Sequence, residues 1–196
     1  GLEYQDILEW CSGVFPDVRV TRTRNLAMMV WGMVHTRHST MASAARSAMN
    51  GRSYNTNRAR LKRFFSWKTV TLRQICDRLI PLVISRFPQT RPVSIIVDTT
   101  SIFWNLNCLT AAIPWRGRAL PIAAVLYWNR SSALSQNQIE ERFMSWVLSQ
   151  VPDGYQICIV ADRGFGRTNL LEFLLARRVW FVLRVKSKVK ITDHHG

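Results

Sequence analysis

The sequence predicts an α/β protein in which an all-helical, strongly basic region precedes a mixed sheet of order β-β-β-α-β-α-β. Three observations carry this. Hydrophobic periodicity is helical from Asn25 to about Phe87 and changes to short β-branched runs near Pro88. Positive charge is concentrated early: residues 21–90 hold 13 basic side chains and 1 acidic one, whereas residues 91–160 hold 5 and 4. Two apolar runs, VSIIV and YQICIVA, are each followed by an aspartate, Asp98 and Asp162. These shifts set the expected boundary, with a helical, basic region at residues 1–90 and a sheet-bearing region at residues 91–196.

The helices come first. LAMMVWGMVH reads as an apolar helix, and Ser39 is placed to cap STMASAARSAM, which stops at Asn50-Gly51. Asn55 or Thr56 can open NTNRARLKRFFSW. Thr71 can cap TLRQICDRLIPLVISRF, where Leu72, Ile75 and Leu79 recur at helical spacing and Pro81 is expected to introduce a kink.

The sheet follows. VSIIV at 93–97 suits a central strand buried on both faces and ending at Asp98. SIFWNLNCLTAAI and RALPIAAVLYW, separated by a turn holding Trp115, Arg116 and Gly117, complete a meander with it. NQIEERFMSWVLSQV places Ile139, Phe143, Trp146, Val147 and Leu148 on an amphipathic helix closed by Pro152-Asp153-Gly154. YQICIVA, a helix at about 168–178 and the strand VWFVLRVK end the order. Trp31, Trp128, Trp146 and Trp180 lie inside apolar runs and are expected in the core, while Trp104 and Trp115 lie near Asp98 in sequence.

Composition narrows the function classes. With 47% hydrophobic and 20% charged residues the chain is an ordinary folded protein rather than a disordered one. No apolar run reaches the roughly 18 residues of a membrane span, and GLEYQDILEWCSG lacks the pattern of a secretory signal, so a cytoplasmic location is expected. Cys11, Cys76, Cys108 and Cys158 are too scattered for a zinc knuckle or a compact disulfide framework, so reduced, partly buried thiols are expected. Against these neutral features, 27 Lys and Arg face 12 Asp and Glu for a formal net charge of +15. So basic a chain repels itself unless it meets a polyanion, which makes nucleic acid the leading partner.

Asp98 and Asp162 are the candidate catalytic and metal-ligating residues. Strand ends can present two acids to one point without burying them unpaired. Phosphodiester cleavage by two Mg²⁺ ions about 3.5–4 Å apart needs such oxygen ligands. An aspartate after a strand also serves as a turn former or helix cap, and that alternative stands on spacing alone. Arg163 and Arg167, beside Gly164 and Gly166, are placed to approach a phosphate, although the glycines also fit a tight turn. Arg52, Arg58, Arg60, Lys62, Arg63 and Lys68 are the candidate DNA contacts of the helical region. Around Leu61, Phe64 and Phe65 they fit a helix that buries one edge and lays the other along a duplex. A solvated face is the alternative, but a merely soluble surface mixes signs.

IIVDTTSIFWNLNCLTAAIPWRGRALPIAAVLY and IVADRGFGRTNLLEFLLARRVWFVLRVKSKV resemble the two central blocks of insertion-sequence-4 transposases, the turn Asp162, Arg163, Gly164, Phe165 being the most specific element. MASAARSAMNGRSYNTNRARLKRFF resembles the helical DNA-binding segment of that family's hairpin-forming members, so the likeness spans roughly residues 21 to 191. The resemblance implies a ribonuclease-H-like fold with an Asp, Asp, Glu triad whose first two members are Asp98 and Asp162, holding Mg²⁺ or Mn²⁺. It implies cut-and-paste transposition, in which water cuts at the element's end and the freed 3′ hydroxyl attacks a second phosphodiester. The implied partners are double-stranded DNA at terminal inverted repeats and target sites, met by a dimeric synaptic complex in the bacterial cytoplasm. The family's glutamate lies on a later helix in a Tyr, Arg, Glu, Lys signature that does not occur here. After Asp162 the only further acids are Glu172, expected to face solvent, and Asp193. The resemblance therefore implies a C-terminally truncated transposase with little strand-transfer activity alone. A catalytically inactive DNA-binding remnant or inhibitor of transposition is the alternative, and a resolvase-like nuclease is a third reading.

Overall fold

The computed structural model describes residues 1–48, 50–66, 71–128 and 134–185. The chain divides into two compact units, Gly1–Thr71 and Leu72–Gly196.

The first unit is helical: α1 (Tyr4–Val14), α2 (Val20–Thr36), α3 (Met41–Arg46) and α4 (Tyr54–Ser66). α1 was not apparent in the sequence; Ile7 and Cys11, one turn apart, are the buried residues of its apolar face, with Tyr4 and Leu8 packed beside them. They pack with Ala27 and Trp31 of α2, and the helix starts where the Glu3 N–H donates to the Asp6 carboxylate at 2.7 Å. Two caps differ from expectation by a residue or more. Thr40, rather than Ser39, caps α3 by accepting from the Ser43 N–H at 3.1 Å, and α3 ends at Arg46, before Asn50-Gly51. Ser53, rather than Asn55 or Thr56, opens α4 by accepting from the Thr56 N–H at 3.3 Å. In both, the oxygen must sit three residues before the N–H it satisfies, and only Thr40 and Ser53 have that offset.

Met28, Met29, Ala44, Ala45 and Leu61 form a small core among α2, α3 and α4. Gly32 allows α2 to approach α3: a Cβ there would lie 2.2 Å from the Ala44 Cα. Asn57 is buried and satisfied on both sides. Its amide donates to the Ala45 and Arg52 carbonyls at 3.4 and 3.3 Å, and its oxygen accepts from Asn50 at 2.9 Å, tying the α3–α4 connection to α4.

The second unit is a mixed α/β structure. α5 (Leu72–Ile84) precedes β1 (Val93–Phe103), β2 (Leu106–Trp115), β3 (Arg118–Trp128), α6 (Gln136–Ser149), β4 (Ile157–Ala161), α7 (Thr168–Ala176) and β5 (Trp180–Leu183). The five-stranded sheet has the order β3-β2-β1-β4-β5, with β1–β2 and β2–β3 antiparallel and β1–β4 and β4–β5 parallel. The expected order of elements is thus present, with α5 added in front. That addition moves the boundary from residue 90 to Thr71. α5 buries Cys76, Ile80 and Ile84 in the sheet's core, packs on β3, and holds α6 through Asp77, which accepts from the Trp146 indole N–H at 2.6 Å. Its charge resembles that of the basic helices, but its apolar face belongs to the sheet.

Val93, Ile95 and Val97 of β1 and Ile157, Ile159 and Ala161 of β4 make the centre of this core, each large side chain contributing roughly 1.5–3 kcal/mol. Three packing expectations are corrected. β1 runs on to Phe103, so Ser101, Ile102 and Phe103 belong to it rather than to β2. The sequence predicts that Leu171, Leu174 and Leu175 of α7 face the sheet, whereas the buried residues are Leu170 and Leu174 and Leu175 is exposed. Trp31 and Trp146 are buried as expected, but Trp128 and Trp180 are about half exposed, because each lies on an edge strand of the sheet. The four cysteines are free thiols, and burial pushes the Cys11 thiol up to about 11. Among the described residues no helix is long and apolar enough to cross a membrane.

Gly32→Val should destabilise the Gly1–Thr71 unit by about 2 kcal/mol or more, since the α2–α3 contact cannot admit two methyl groups. Gly13→Ala, at an α1 position with open space around it, should be neutral or slightly stabilising. Denaturant unfolding followed by circular dichroism compares the two.

Candidate active site and nucleic-acid interface

β1 and β4 lie side by side and parallel, with Val97 opposite Ala161. The next residue after each is an aspartate, so Asp98 and Asp162 follow directly on a paired position of neighbouring strands. Asp98 does not end its strand. β1 continues past β4 because β2 goes on satisfying its backbone, with Asp98 opposite Thr110 and the pairing reaching Phe103 and Leu106. Both aspartates are exposed and line one cleft of about 310 Å³.

The Asp162 carboxylate is set by its own turn. Its Oδ1 accepts from the Gly164 N–H at 2.8 Å, and its carbonyl accepts from the N–H of Phe165, whose buried ring anchors the turn. Gly164 suits this place because a Cβ would stand 3.0 Å from Oδ1. Asp98 accepts from the Thr100 hydroxyl at 3.5 Å. Further into the cleft, Ser101 donates to the Asn107 side-chain oxygen at 2.8 Å.

Glu140 of α6 also lines the cleft, and sequence reasoning missed it. It is 1% exposed, with one oxygen accepting from Gln136 at 2.8 Å and the other paired with the Arg167 guanidinium. A signal was present: Glu140 sits three and four residues before Phe143 and Met144, on the buried stripe of α6. Behind it, Tyr127 is pushed above its ordinary value of 10.0, first by burial and then by the Glu140 carboxylate.

Among the described residues no three His, Cys, Asp or Glu side chains gather as a metal-binding group. The carboxylates of Asp98 and Asp162, which line one cleft, are oxygen ligands of the kind a hard divalent cation such as Mg²⁺ or Mn²⁺ takes, rather than the nitrogen and sulfur ligands typical of zinc. Both Glu140 oxygens are already engaged. Glu172 is exposed on α7, away from the buried face.

The two arginines of the Asp162 turn have different surroundings. Arg163 is exposed beside Asp162, whereas Arg167 turns inward to Glu140 and is 27% exposed. Its guanidinium is committed to an ion pair, unlike the phosphate-facing role its position suggested.

In the first unit, Arg52, Arg60 and Arg63 converge on a cleft of about 290 Å³ between α2 and α4, with Asn25 and Phe64 in its wall. Arg60 donates to the Asn25 side-chain oxygen at 2.9 Å. Burial, and then the positive charge of Arg52, hold Arg60 below its ordinary value. Arg58 and Lys62 are exposed one turn apart on α4, flanking the buried Asn57 and Leu61 on the other side. α4 therefore carries two basic edges, one facing the cleft and one open. Lys68, like Asp193, lies outside the described residues.

No family model matches the chain, and no curated protein matches it. Among solved structures the chain is similar to a piggyBac transposase in a synaptic complex with hairpin DNA, at 13% identity and a TM-score of 0.43. The similarity covers 98% of this chain and 50% of that one, so this chain spans half the length of that transposase chain.

A spectrophotometric titration should find Tyr127 ionising above pH 10, with Tyr127→Phe removing one late-titrating tyrosine and Glu140→Gln moving it part of the way back. Folding favours the neutral phenol, so the stability it adds is complete below pH 10 and lost as pH rises through the raised folded value.

Proposed function

We propose that this chain is the DNA-binding and metal-binding part of an insertion-sequence-type transposase, with a ribonuclease-H-like core. The observation that supports this most is the in-register pairing of β1 with β4, after which Asp98 on β1 and Asp162 in the turn that follows β4 line one cleft. Asp98 and Asp162 would hold Mg²⁺ or Mn²⁺. When bound, such ions activate the attacking oxygen and stabilise the leaving one in phosphodiester hydrolysis. The chain's own residues orient the substrate. Arg163, exposed beside Asp162, would take the phosphate next to the scissile bond, and Arg52, Arg60 and Arg63 would bind backbone phosphates through their shared cleft. Arg58 and Lys62 would add contacts from the open edge of α4. The complete protein would join terminal inverted repeats in a dimeric synaptic complex and transfer the freed 3′ ends to target DNA, in the bacterial cytoplasm.

A second reading is favoured by one observation: among the described residues the cleft has no third acid with an uncommitted oxygen. A two-carboxylate site stabilises transition-state charge poorly. The chain alone would then be a DNA binder that occupies element ends without cutting, either a remnant or an inhibitor.

Fluorescence anisotropy on duplex DNA across a salt series, with Mn²⁺-dependent nicking of supercoiled plasmid, separates these readings. Arg60→Ala with Arg63→Ala should weaken binding about tenfold or more and lower the salt slope by about 2. Asp98→Asn or Asp162→Asn should leave binding intact and reduce any nicking about 100-fold or more. Binding without nicking in the parent chain selects the second reading, and absence of DNA binding overturns both.

A further inference from the structure

We propose that Glu140 is a positioning residue for Asp162, acting through Arg167 and the Gly164 peptide. The inference rests on the reading of Asp98 and Asp162 as the metal-binding pair. The links are contiguous. Glu140, buried on α6, pairs with Arg167; Arg167 also donates to the Gly164 carbonyl at 3.3 Å; and the Gly164 N–H donates to Asp162 Oδ1 at 2.8 Å. One peptide unit on each side of Gly164 is thereby fixed, one through its carbonyl and the other through its N–H. The absent Cβ keeps the space beside Oδ1 clear.

The energetics explain why the network reaches the turn rather than merely joining α6 to α7. A carboxylate as buried as Glu140 requires a charged partner, and a broken pair leaves a buried charge uncompensated. Arg167 therefore cannot swing to solvent while Glu140 is ionised, and its second bond stays on the turn. An exposed aspartate in a tight turn needs no such scaffold for stability, because water satisfies its oxygens. Fixing the direction of its carboxylate matters when that carboxylate must meet a second one at a shared ligand, and hydrogen bonds that orient metal ligands typically change affinity by about 10–100-fold.

The test uses the whole chain with Mn²⁺ as probe, followed by electron paramagnetic resonance titration, with hydrogen exchange at the Gly164 amide as a metal-independent readout. Glu140→Gln should weaken Mn²⁺ binding about tenfold or more and speed exchange at Gly164, while Glu172→Gln, an exposed change on α7, alters neither. Because a broken pair also endangers folding, the double variant Glu140→Met with Arg167→Met supplies a packed apolar replacement. It should fold and melt like the parent yet keep the weakened metal binding and fast exchange. A purely structural role predicts parent-like binding and exchange in that double variant, and this result overturns the proposal. Loss of Gly164 protection in a chain whose parent form does not bind Mn²⁺ would overturn the metal-site reading and leave the positioning of Asp162 standing. Unchanged protection would sink the positioning role whatever the metal does.

Discussion

The parallel pairing of β1 with β4 is the constraint on which the second unit depends. Its register, Val97 opposite Ala161, is fixed because both strands bury one alternating face in the same core: Val93, Ile95 and Val97 from one, Ile157, Ile159 and Ala161 from the other. A slip of one residue would turn those side chains out of the core and separate the two aspartates in height along the sheet. The same packing that stabilises the sheet therefore juxtaposes Asp98 and Asp162, and a carboxylate pair held by core register needs little help from loops.

What the register does not fix is the direction of each carboxylate. β1 continues beyond its β4 partner and keeps Asp98 in a ladder with Thr110, so its backbone is held on the β2 side. Asp162 follows the last residue of β4 and lies in a turn, where the buried Phe165, the Gly164 peptide and the Glu140–Arg167 pair take over from the sheet. The two aspartates are thus constrained by different means, one by strand pairing and one by a turn braced from α6. Burial of Glu140 links that brace to the core, since α6 also places Phe143, Met144 and Val147 there.

The cleft of the first unit is lined by arginines rather than by carboxylates. That unit's core is small, built from Met28, Met29, Ala44, Ala45 and Leu61, and among the described residues the cleft that gathers Arg52, Arg60 and Arg63 is lined by no acid. The lowered proton affinity of Arg60 reflects burial first and then neighbouring like charge, both of which disfavour its cationic form. Asn57, satisfied from three directions, keeps the α3–α4 connection and Arg52 near the cleft without adding a negative charge.

Much of this was legible in the amino acids themselves. Periodicity yielded α2, α4, α5, α6 and α7, the β-branched runs yielded the strands and their order, and the two strand-then-aspartate segments marked the cleft before any pairing was known. These are local properties, set by side-chain spacing of 3.6 or 2 residues along one element. The remainder depended on which faces meet. Only the folded chain assigned α5 to the sheet rather than to the basic helices, left Trp128 and Trp180 half exposed on edge strands, and turned Arg167 from solvent to Glu140. Each of those outcomes joins residues distant in sequence, such as Asp77 with Trp146 or Glu140 with Arg167, and no periodicity within a single element encodes its partner.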